Sequence, residues 1–141
     1  MNYLVDVNVW VALATPGHIH HTAALDWFQG TTDDRFLFCR VTQMGLLRLV
    51  TNPRVMGISV VTADSAWKVF DAFLQDDRIT YADEPPETEE LWRKQTRLQG
   101  TGPNTWTDAY LAAFASAGGL TIATFDRQFA GRKDVSVRVL R

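Results

Sequence analysis

Leu4-Val5-Asp6 and Thr124-Phe125-Asp126 each place an aspartate at the end of an apolar run that predicts a buried strand. Asp108 lies in the first turn of a predicted helix, 106–117, that is apolar nearly all round and therefore buried. In a parallel α/β sheet, the carboxyl ends of the strands and the N-termini of the following helices share one edge. We therefore expect the three carboxylates to converge at that edge, where their mutual repulsion requires a cation.

Short apolar strands alternate with helices along the whole chain. Predicted strands cover 2–6, 35–39, 79–81, 120–125 and 135–140. Predicted helices cover 9–14, 22–29, 43–50, 63–74, 88–98 and 105–118, with Asn8, Thr42, Thr62 and either Asn104 or Thr105 as N-caps. The segment 100–103 is predicted to be flexible. This alternation predicts an α/β fold in one domain, residues 1–141, built as a three-layer α/β/α sandwich with a mostly parallel central sheet.

The composition narrows the class of protein. At 141 residues with 46% hydrophobic side chains, the chain can fill one core, which excludes wholesale disorder. A net charge of −2 argues against coating nucleic acid through bulk charge, but it allows a local basic rim. The single cysteine, Cys39, excludes an internal disulfide and a cysteine-rich zinc site. No apolar run approaches the ~18 residues of a membrane span, so we expect a soluble, cytoplasmic protein with no membrane partner.

Taken one at a time, the aspartates have purely structural explanations. Asp108 can stabilise the N-terminus of its own helix, and Asp6 and Asp126 can be ordinary strand-end or turn residues. Their expected convergence on one sheet edge favours a metal site instead. Oxygen ligands without His or Cys select Mg²⁺ or Mn²⁺ over zinc. Because such ions share their coordination with water and phosphate oxygens, the predicted chemistry is metal-assisted phosphodiester hydrolysis.

Four segments carry a family resemblance. They are Leu-Val-Asp-Val-Asn-Val-Trp-Val-Ala-Leu at 4–13, Val-Thr-Gln-Met-Gly-Leu-Leu-Arg-Leu-Val-Thr-Asn-Pro at 41–53, Trp-Thr-Asp-Ala-Tyr-Leu-Ala-Ala-Phe-Ala at 106–115 and Thr-Ile-Ala-Thr-Phe-Asp-Arg-Gln-Phe at 121–129. Together, and in this order, they resemble the PIN-domain ribonucleases, in particular the VapC-type toxins of type II toxin–antitoxin systems. The resemblance implies a Mg²⁺-dependent endoribonuclease that acts on an RNA substrate. It also implies a homodimer held inactive by a VapB-type antitoxin whose tail occupies the site.

The resemblance also implies roles for individual residues. Asp6, Asp108 and Asp126 match the family's metal-binding, catalytic acids. Asn8 and Thr124 match polar residues commonly found beside those acids, and they form a supporting shell.

The chain departs from the family pattern at a fourth acid. The family usually has a glutamate on the helix after the second strand, whereas this chain has Gln43 or Gly45 at the equivalent place. Gln43 can orient a metal-bound water through its amide oxygen, but it adds no charge. We therefore expect weaker or one-metal binding, with Gln43 in the supporting shell.

Several basic residues are secondary candidates. Arg40, Arg48 and Arg127 could position RNA phosphates, although each is also explained as an ordinary surface charge or an antitoxin contact. The histidines at 18, 20 and 21 lack the partners of a metal set and are predicted to be exposed loop residues. The arginines and lysine in 93–97 lie among glutamates and predict a solvated helix face.

An aromatic stripe on the predicted 63–74 helix has two explanations. Trp67, Phe70, Phe73 and Leu74 can be simple core packing. They can also form a dimer surface or an antitoxin groove together with the 42–51 helix.

Two other functions remain open at the level of sequence. One is a catalytically weak PIN-fold module that binds antitoxin or RNA after loss of the fourth acid. The other is phosphoryl transfer by a haloacid-dehalogenase-like or receiver-like domain. The first of those classes needs an aspartate where this chain has Asn8, and the second needs an acidic pair and a late lysine that the chain lacks.

Overall fold

A five-stranded parallel sheet forms the centre of the molecule. The computed structural model describes residues 1–98 and 102–141. The strands are β1 (Asn2–Val5), β2 (Arg35–Phe38), β3 (Ile79–Tyr81), β4 (Thr121–Thr124) and β5 (Ser136–Val139). Their order is β3-β2-β1-β4-β5, and all four neighbouring pairs are parallel. The chain direction across the sheet reverses at β1 and β4, where folds of this kind open a crevice beyond the strand carboxyl ends.

Helices connect the strands. They are α1 (Val7–Ala14), α2 (His21–Gln29), α3 (Arg40–Val50), α4 (Pro53–Met56), α5 (Ala63–Phe73), α6 (Thr88–Leu98) and α7 (Thr105–Gly118), with short 3-10 helices at Gly57–Ser59 and Arg127–Gly131. The predicted strands and helices are present, with ends displaced by at most three residues, the largest shift being at the start of α3. Part of the segment predicted to be flexible, 100–103, lies outside the described residues.

The two faces of the sheet carry separate apolar cores. Tyr3 and Val5 of β1 point to the face covered by α1, α2, α3 and α5. Leu4, between them, points to the opposite face, which α7 covers through Leu111 and Phe114. This alternation follows from the two-residue period of a strand. The predicted three-layer sandwich is confirmed, and its sheet is entirely parallel among the described strands.

The aromatic stripe of α5 divides between core and surface. Phe70 is buried against Phe38, whose ring stacks on Trp10 with centroids 3.8 Å apart. Phe73 packs edge-on against Trp10 at 5.1 Å. Trp67, by contrast, is 50% exposed. Core packing therefore explains the two phenylalanines but leaves Trp67 on the surface.

Two predicted helix starts are wrong. The N-cap of α1 is Asp6 rather than Asn8, because the helix begins directly after β1. The N-cap of α3 is Cys39, and Thr42 is the third helical residue, with its hydroxyl accepting from the Cys39 amide at 3.0 Å. The predicted cap at Thr62 is confirmed by its bond from the Ser65 amide.

Helices α1 and α3 approach closely at Gly45. A Cβ atom at this position would lie 2.5 Å from Cγ2 of Val7, far inside van der Waals contact. Valine is stiff about its first side-chain torsion and cannot easily turn away. Position 45 therefore has no room for any side chain.

None of the helices in the described part of the chain has the length and apolar character needed to span a membrane.

Candidate metal centre

The hydroxyl of Thr124 links three polar residues at the carboxyl ends of β1 and β4. It donates to Oδ2 of Asp6 at 2.7 Å and accepts from the amide of Asp126 at 3.0 Å and from Nδ2 of Asn8 at 3.3 Å. Thr124 is fully buried. One donor and two acceptor positions are all that a hydroxyl offers, so each of its bonding positions is used.

Asp6 is held on both carboxylate oxygens. The amide of Val7 donates to Oδ1 at 2.7 Å, while Thr124 holds Oδ2. Burial raises the pKa of Asp6, and the neighbouring charge of Asp126 adds to that rise, against the lowering effect of the two hydrogen bonds. The orientation of this carboxylate is therefore fixed in surroundings that disfavour its charge.

Asn8 bridges β4 and the first turn of α1. Its Nδ2 donates to Thr124, and its Oδ1 accepts from the amide of Phe125 at 3.2 Å. Asn8 thus satisfies a backbone group at the point where the chain leaves β4. Its place beside the acids matches the supporting role expected from the sequence.

Asp108 and Asp126 line an open pocket of about 470 Å³ at the N-terminus of α7. Asp126 caps the 3-10 helix that follows β4, with Oδ1 accepting from the Gln128 amide at 2.9 Å. Other pocket residues are Pro103, Asn104, Thr105, Phe129 and Arg132. Asp6 does not line this pocket but lies close enough to influence it electrostatically.

The pKa of Asp108 is raised from 3.8 to about 6. Loss of solvent is the main cause, and the charges of Asp6 and Asp126 raise it further, while Arg132 opposes the rise. The carboxylates of Asp6 and Asp126 are thus close enough to that of Asp108 to raise its pKa.

The carboxylates do not form a closed metal cage. Over residues 1–98 and 102–141, no group of three or more His, Cys, Asp or Glu side chains is arranged to hold one ion. Ions such as Mg²⁺ are commonly held by one or two carboxylates together with water and substrate phosphate oxygens. Asp108 and Asp126, on one open pocket with a third negative charge nearby, fit that kind of site.

Gln43 is bonded to an arginine. Its Oε1 accepts from Nη1 of Arg40 at 2.6 Å, and Gln43 is only 6% exposed. The Arg40 guanidinium also lies 4.9 Å from the ring centroid of Tyr81. Position 45 has no room for a side chain, and the amide oxygen of Gln43 is already bonded to the Arg40 guanidinium.

The arginines predicted to contact RNA phosphates lie in different parts of the structure. Arg40 is the first residue of α3, directly beyond the carboxyl end of β2, whereas Arg48 lies eight residues further along α3, about 12 Å by helix geometry. Arg127 follows Asp126 but is exposed outside the pocket lining. Arg132, which sequence reasoning missed, borders the pocket and lowers the pKa of Asp108. The one signal for Arg132 in the sequence was that it follows Asp126 by six residues.

The loop histidines make structural contacts. A ring nitrogen of His21 pairs with the Ala12 carbonyl at 2.8 Å, and the His20 ring stacks on Phe125 at 4.4 Å. His18 accepts from the His20 amide through Nδ1 at 3.0 Å. These contacts attach the loop before α2 to α1 and β4.

The protein is thus an α/β protein with a parallel sheet and an acidic pocket near the point where the strand order reverses. A family profile described as PIN domain matches residues 3–134. The chain belongs to the PIN-domain family.

Its relatives within that family are VapC ribonucleases. The chain is 42% identical to Ribonuclease VapC41 of Mycobacterium tuberculosis over 142 aligned residues, which cover 97% of each chain. It is 33% identical to Ribonuclease VapC38 of the same organism, covering 87% of this chain and 84% of the relative.

Solved structures share the fold. VapBC2 from Rickettsia felis, bound to a promoter DNA fragment, has a TM-score of 0.70 at 14% identity, with complete coverage of both chains. Mycobacterium tuberculosis VapC20, described as a toxin that cleaves the sarcin–ricin loop, has a TM-score of 0.67 at 18% identity, covering 96% and 98%. At these identities the likeness concerns the fold.

Replacing Asp108 by asparagine should stabilise the metal-free protein at neutral pH. In the folded protein the pKa of Asp108 is about 6, above its ordinary 3.8. The ionised carboxylate is therefore disfavoured in the folded state, and the free energy of unfolding falls as the pH rises through 6. In EDTA, Asp108→Asn should raise the free energy of unfolding at pH 7.5 by about 1 kcal/mol, a value reduced for partial exposure. The gain should shrink as the pH falls from 6 towards 4. Urea unfolding at pH 7.5 and 4.5 measures both.

Asp64 offers the control, since it is an exposed carboxylate paired with Lys68 on α5. Asp64→Asn should give no gain at either pH. An equal gain from Asp108→Asn at both pH values would show that ionisation is not its cause.

Removing the Thr124 hydroxyl should loosen the acidic edge. Thr124→Val leaves Oδ2 of Asp6 and the Asp126 amide without their partner, which should cost about 1–3 kcal/mol of stability. Divalent metal affinity should fall by about tenfold or more, as is typical when a residue that orients ligands is lost. Thr124→Ser keeps the hydroxyl and should change metal affinity by less than about threefold. Isothermal titration with Mg²⁺ compares the two, and equal losses would contradict the role of the hydroxyl.

Proposed function

We propose that this chain is a metal-dependent endoribonuclease toxin that hydrolyses RNA phosphodiester bonds and is neutralised by a cognate VapB-type antitoxin. The observation that carries the proposal is the electrostatic coupling of Asp6, Asp108 and Asp126 beside an open pocket. Family membership and the ribonuclease names of the relatives support it.

Mg²⁺ is the proposed cofactor, with Mn²⁺ as an alternative. Asp108 and Asp126 would hold the ion in the pocket, and Asp6 would complete the set of catalytic acids. The bound ion supplies a water of lowered pKa and stabilises charge on the phosphate. The protein's part is to hold the acids in one orientation, through Thr124 and Asn8, and to keep Asp108 poorly solvated. Arg132 borders the same pocket and would attract the RNA phosphate.

The proposed partners follow from the relatives. Structures of VapBC from Rickettsia felis, Haemophilus influenzae and Salmonella typhimurium share this fold, and those from Rickettsia felis and Salmonella typhimurium contain DNA. We propose a cytoplasmic homodimer bound by its antitoxin. The roles of Arg40, Arg48 and Arg127 towards RNA phosphates stay predictions, and the position of Arg40 at the carboxyl end of β2 favours it over Arg48.

A second candidate function is a PIN-fold module that binds RNA or antitoxin but cleaves weakly. The observation that favours it is the missing fourth acid. Gln43 is neutral and bonded to Arg40, and position 45 is sterically closed to a side chain. Activity measurements with metal separate the two candidates.

Loss of any of the three acids should abolish metal-dependent cleavage. Asp6→Asn, Asp108→Asn and Asp126→Asn keep size and shape but remove a charge that the cation requires. Each should lower the cleavage rate by about a hundredfold or more, and EDTA should abolish cleavage by the wild type. Sequencing of RNA ends after induction, with purified protein and Mg²⁺ in parallel, measures the effect.

The exposed Asp64 again provides the matched substitution, and Asp64→Asn should cleave like the wild type. Undiminished cleavage by Asp108→Asn would remove that residue from the site. Binding of RNA without cleavage by the wild type at any Mg²⁺ or Mn²⁺ concentration would favour the binding module.

Restoring an acid at position 43 should have little effect unless Arg40 is also changed. In Gln43→Glu, the new carboxylate would inherit the contact with Arg40, which neutralises it. We expect Mg²⁺ affinity to change by less than about threefold, but to rise by about tenfold when Arg40→Gln is added, equivalent to about 1.4 kcal/mol. Isothermal titration measures both variants. Adding Arg48→Gln to Gln43→Glu is the control, and tight binding by Gln43→Glu alone would contradict neutralisation by Arg40.

A further inference from the structure

A second depression of about 370 Å³ lies between α6 and the first turn of α7. It is separate from the acidic pocket and is not used by the proposed chemistry. The residues that line it are Glu89, Trp92, Arg93, Thr96, Arg97 and Trp106. We call this depression the tryptophan groove.

Trp106 presents a large aromatic surface to solvent. It is 62% exposed, although it belongs to a helix whose next turns are buried. Trp92 fixes the local geometry, because its Nε1 donates to the Trp106 carbonyl at 2.9 Å and its ring meets the Trp106 ring edge-to-face at 6.2 Å. Trp92 is itself braced by Tyr110 at 5.2 Å. The exposed indole therefore sits on a rigid base.

The groove combines this aromatic surface with positive charge. Arg93 forms an i,i+4 pair with Glu89 at 3.1 Å, on the exposed face of α6. Such surface pairs contribute little and leave other guanidinium N–H groups able to donate. Arg97, one turn further along α6, is exposed and adds a second positive charge. The groove therefore carries one more positive than negative charge.

The groove and the acidic pocket are both lined by residues of the first turn of α7. Trp106 and Asp108 are two residues apart on α7, which places their Cα atoms about 5 Å apart in helix geometry. Their side chains leave opposite sides of the helix. Thr105, the neighbour of Trp106 in the chain, lines the acidic pocket. The groove and the pocket therefore lie on two sides of the same helix turn.

We propose that the tryptophan groove binds an unpaired RNA base, which stacks on the Trp106 indole while Arg97 and Arg93 contact an adjacent phosphate. This inference rests on the proposed ribonuclease function and adds a substrate subsite to it. A nucleotide uses both features of the groove, because its base has an aromatic face and its phosphate is an anion. An apolar peptide side chain would match the indole and leave the arginines unused. The preferred substrate is therefore single-stranded or carries an unstacked base.

Binding of defined RNA without metal tests the subsite apart from cleavage. The probes are a fluorescein-labelled 12-residue oligoadenylate and an abasic 12-residue strand with the same phosphates, measured by fluorescence anisotropy in EDTA. Trp106→Leu should weaken oligoadenylate binding about tenfold, equivalent to about 1.4 kcal/mol, and leave abasic binding unchanged. Trp106→Phe should stay within about threefold of the wild type, because it keeps an aromatic face.

Trp67→Leu is the matched control, since Trp67 is 50% exposed on a different helix. It should bind both probes like the wild type. Arg97→Gln should weaken binding of both probes and reduce the slope of log affinity against log salt by about 0.7. Circular dichroism and thermal unfolding establish that each variant is folded.

Two results would overturn the proposal. One is unchanged oligoadenylate binding by Trp106→Leu, or an equal loss for the abasic strand. The other is a Trp106→Leu variant that binds RNA like the wild type but differs from it in molecular mass by light scattering or in antitoxin affinity. That result would make the groove a protein interface. Neither result touches the proposed function, which fails separately if the wild type cuts no RNA in Mg²⁺ or Mn²⁺.

Discussion

The acidic edge of this protein depends on one buried hydroxyl. Thr124 ends β4 and joins Asp6 from β1, Asn8 from α1 and the backbone of Asp126. Each of these groups would be costly to leave unpaired in a site that is largely shielded from water. Because β1 and β4 are neighbours in the sheet, this small network also joins the two halves of the sheet at its switch point.

The same network holds carboxylates in buried surroundings that disfavour their ionised form. Burial raises the pKa of Asp6, and burial together with two neighbouring carboxylates raises that of Asp108. Ionisation of these carboxylates therefore opposes folding, and a cation bound at this edge would offset part of that cost. A site of this kind sacrifices stability for function, as pre-organised charged sites commonly do.

The sequence was sufficient for the architecture, because strand burial and chain order decide it, whereas the metal-binding role of the three acids stays a prediction. Local assignments were harder: Asp and Asn are equally good N-caps, and only the structure shows that Asp6 rather than Asn8 caps α1. The closure of position 45 depends on the distance between two helices, which no local pattern encodes. The placement of Arg132 beside the acids, and of Trp106 against Trp92, is likewise a product of tertiary packing.

The sequence separation of the site residues has a consequence for synthesis. Asp6 and the Thr124 hydroxyl that orients it are 118 residues apart in the chain. The ribosome makes roughly 5–20 residues per second, so Asp6 waits on the order of 6–24 seconds for its partner. A growing chain cannot assemble the acidic edge until Thr124 and Asp126 have been added to it. The network therefore forms only after β4 has been synthesised.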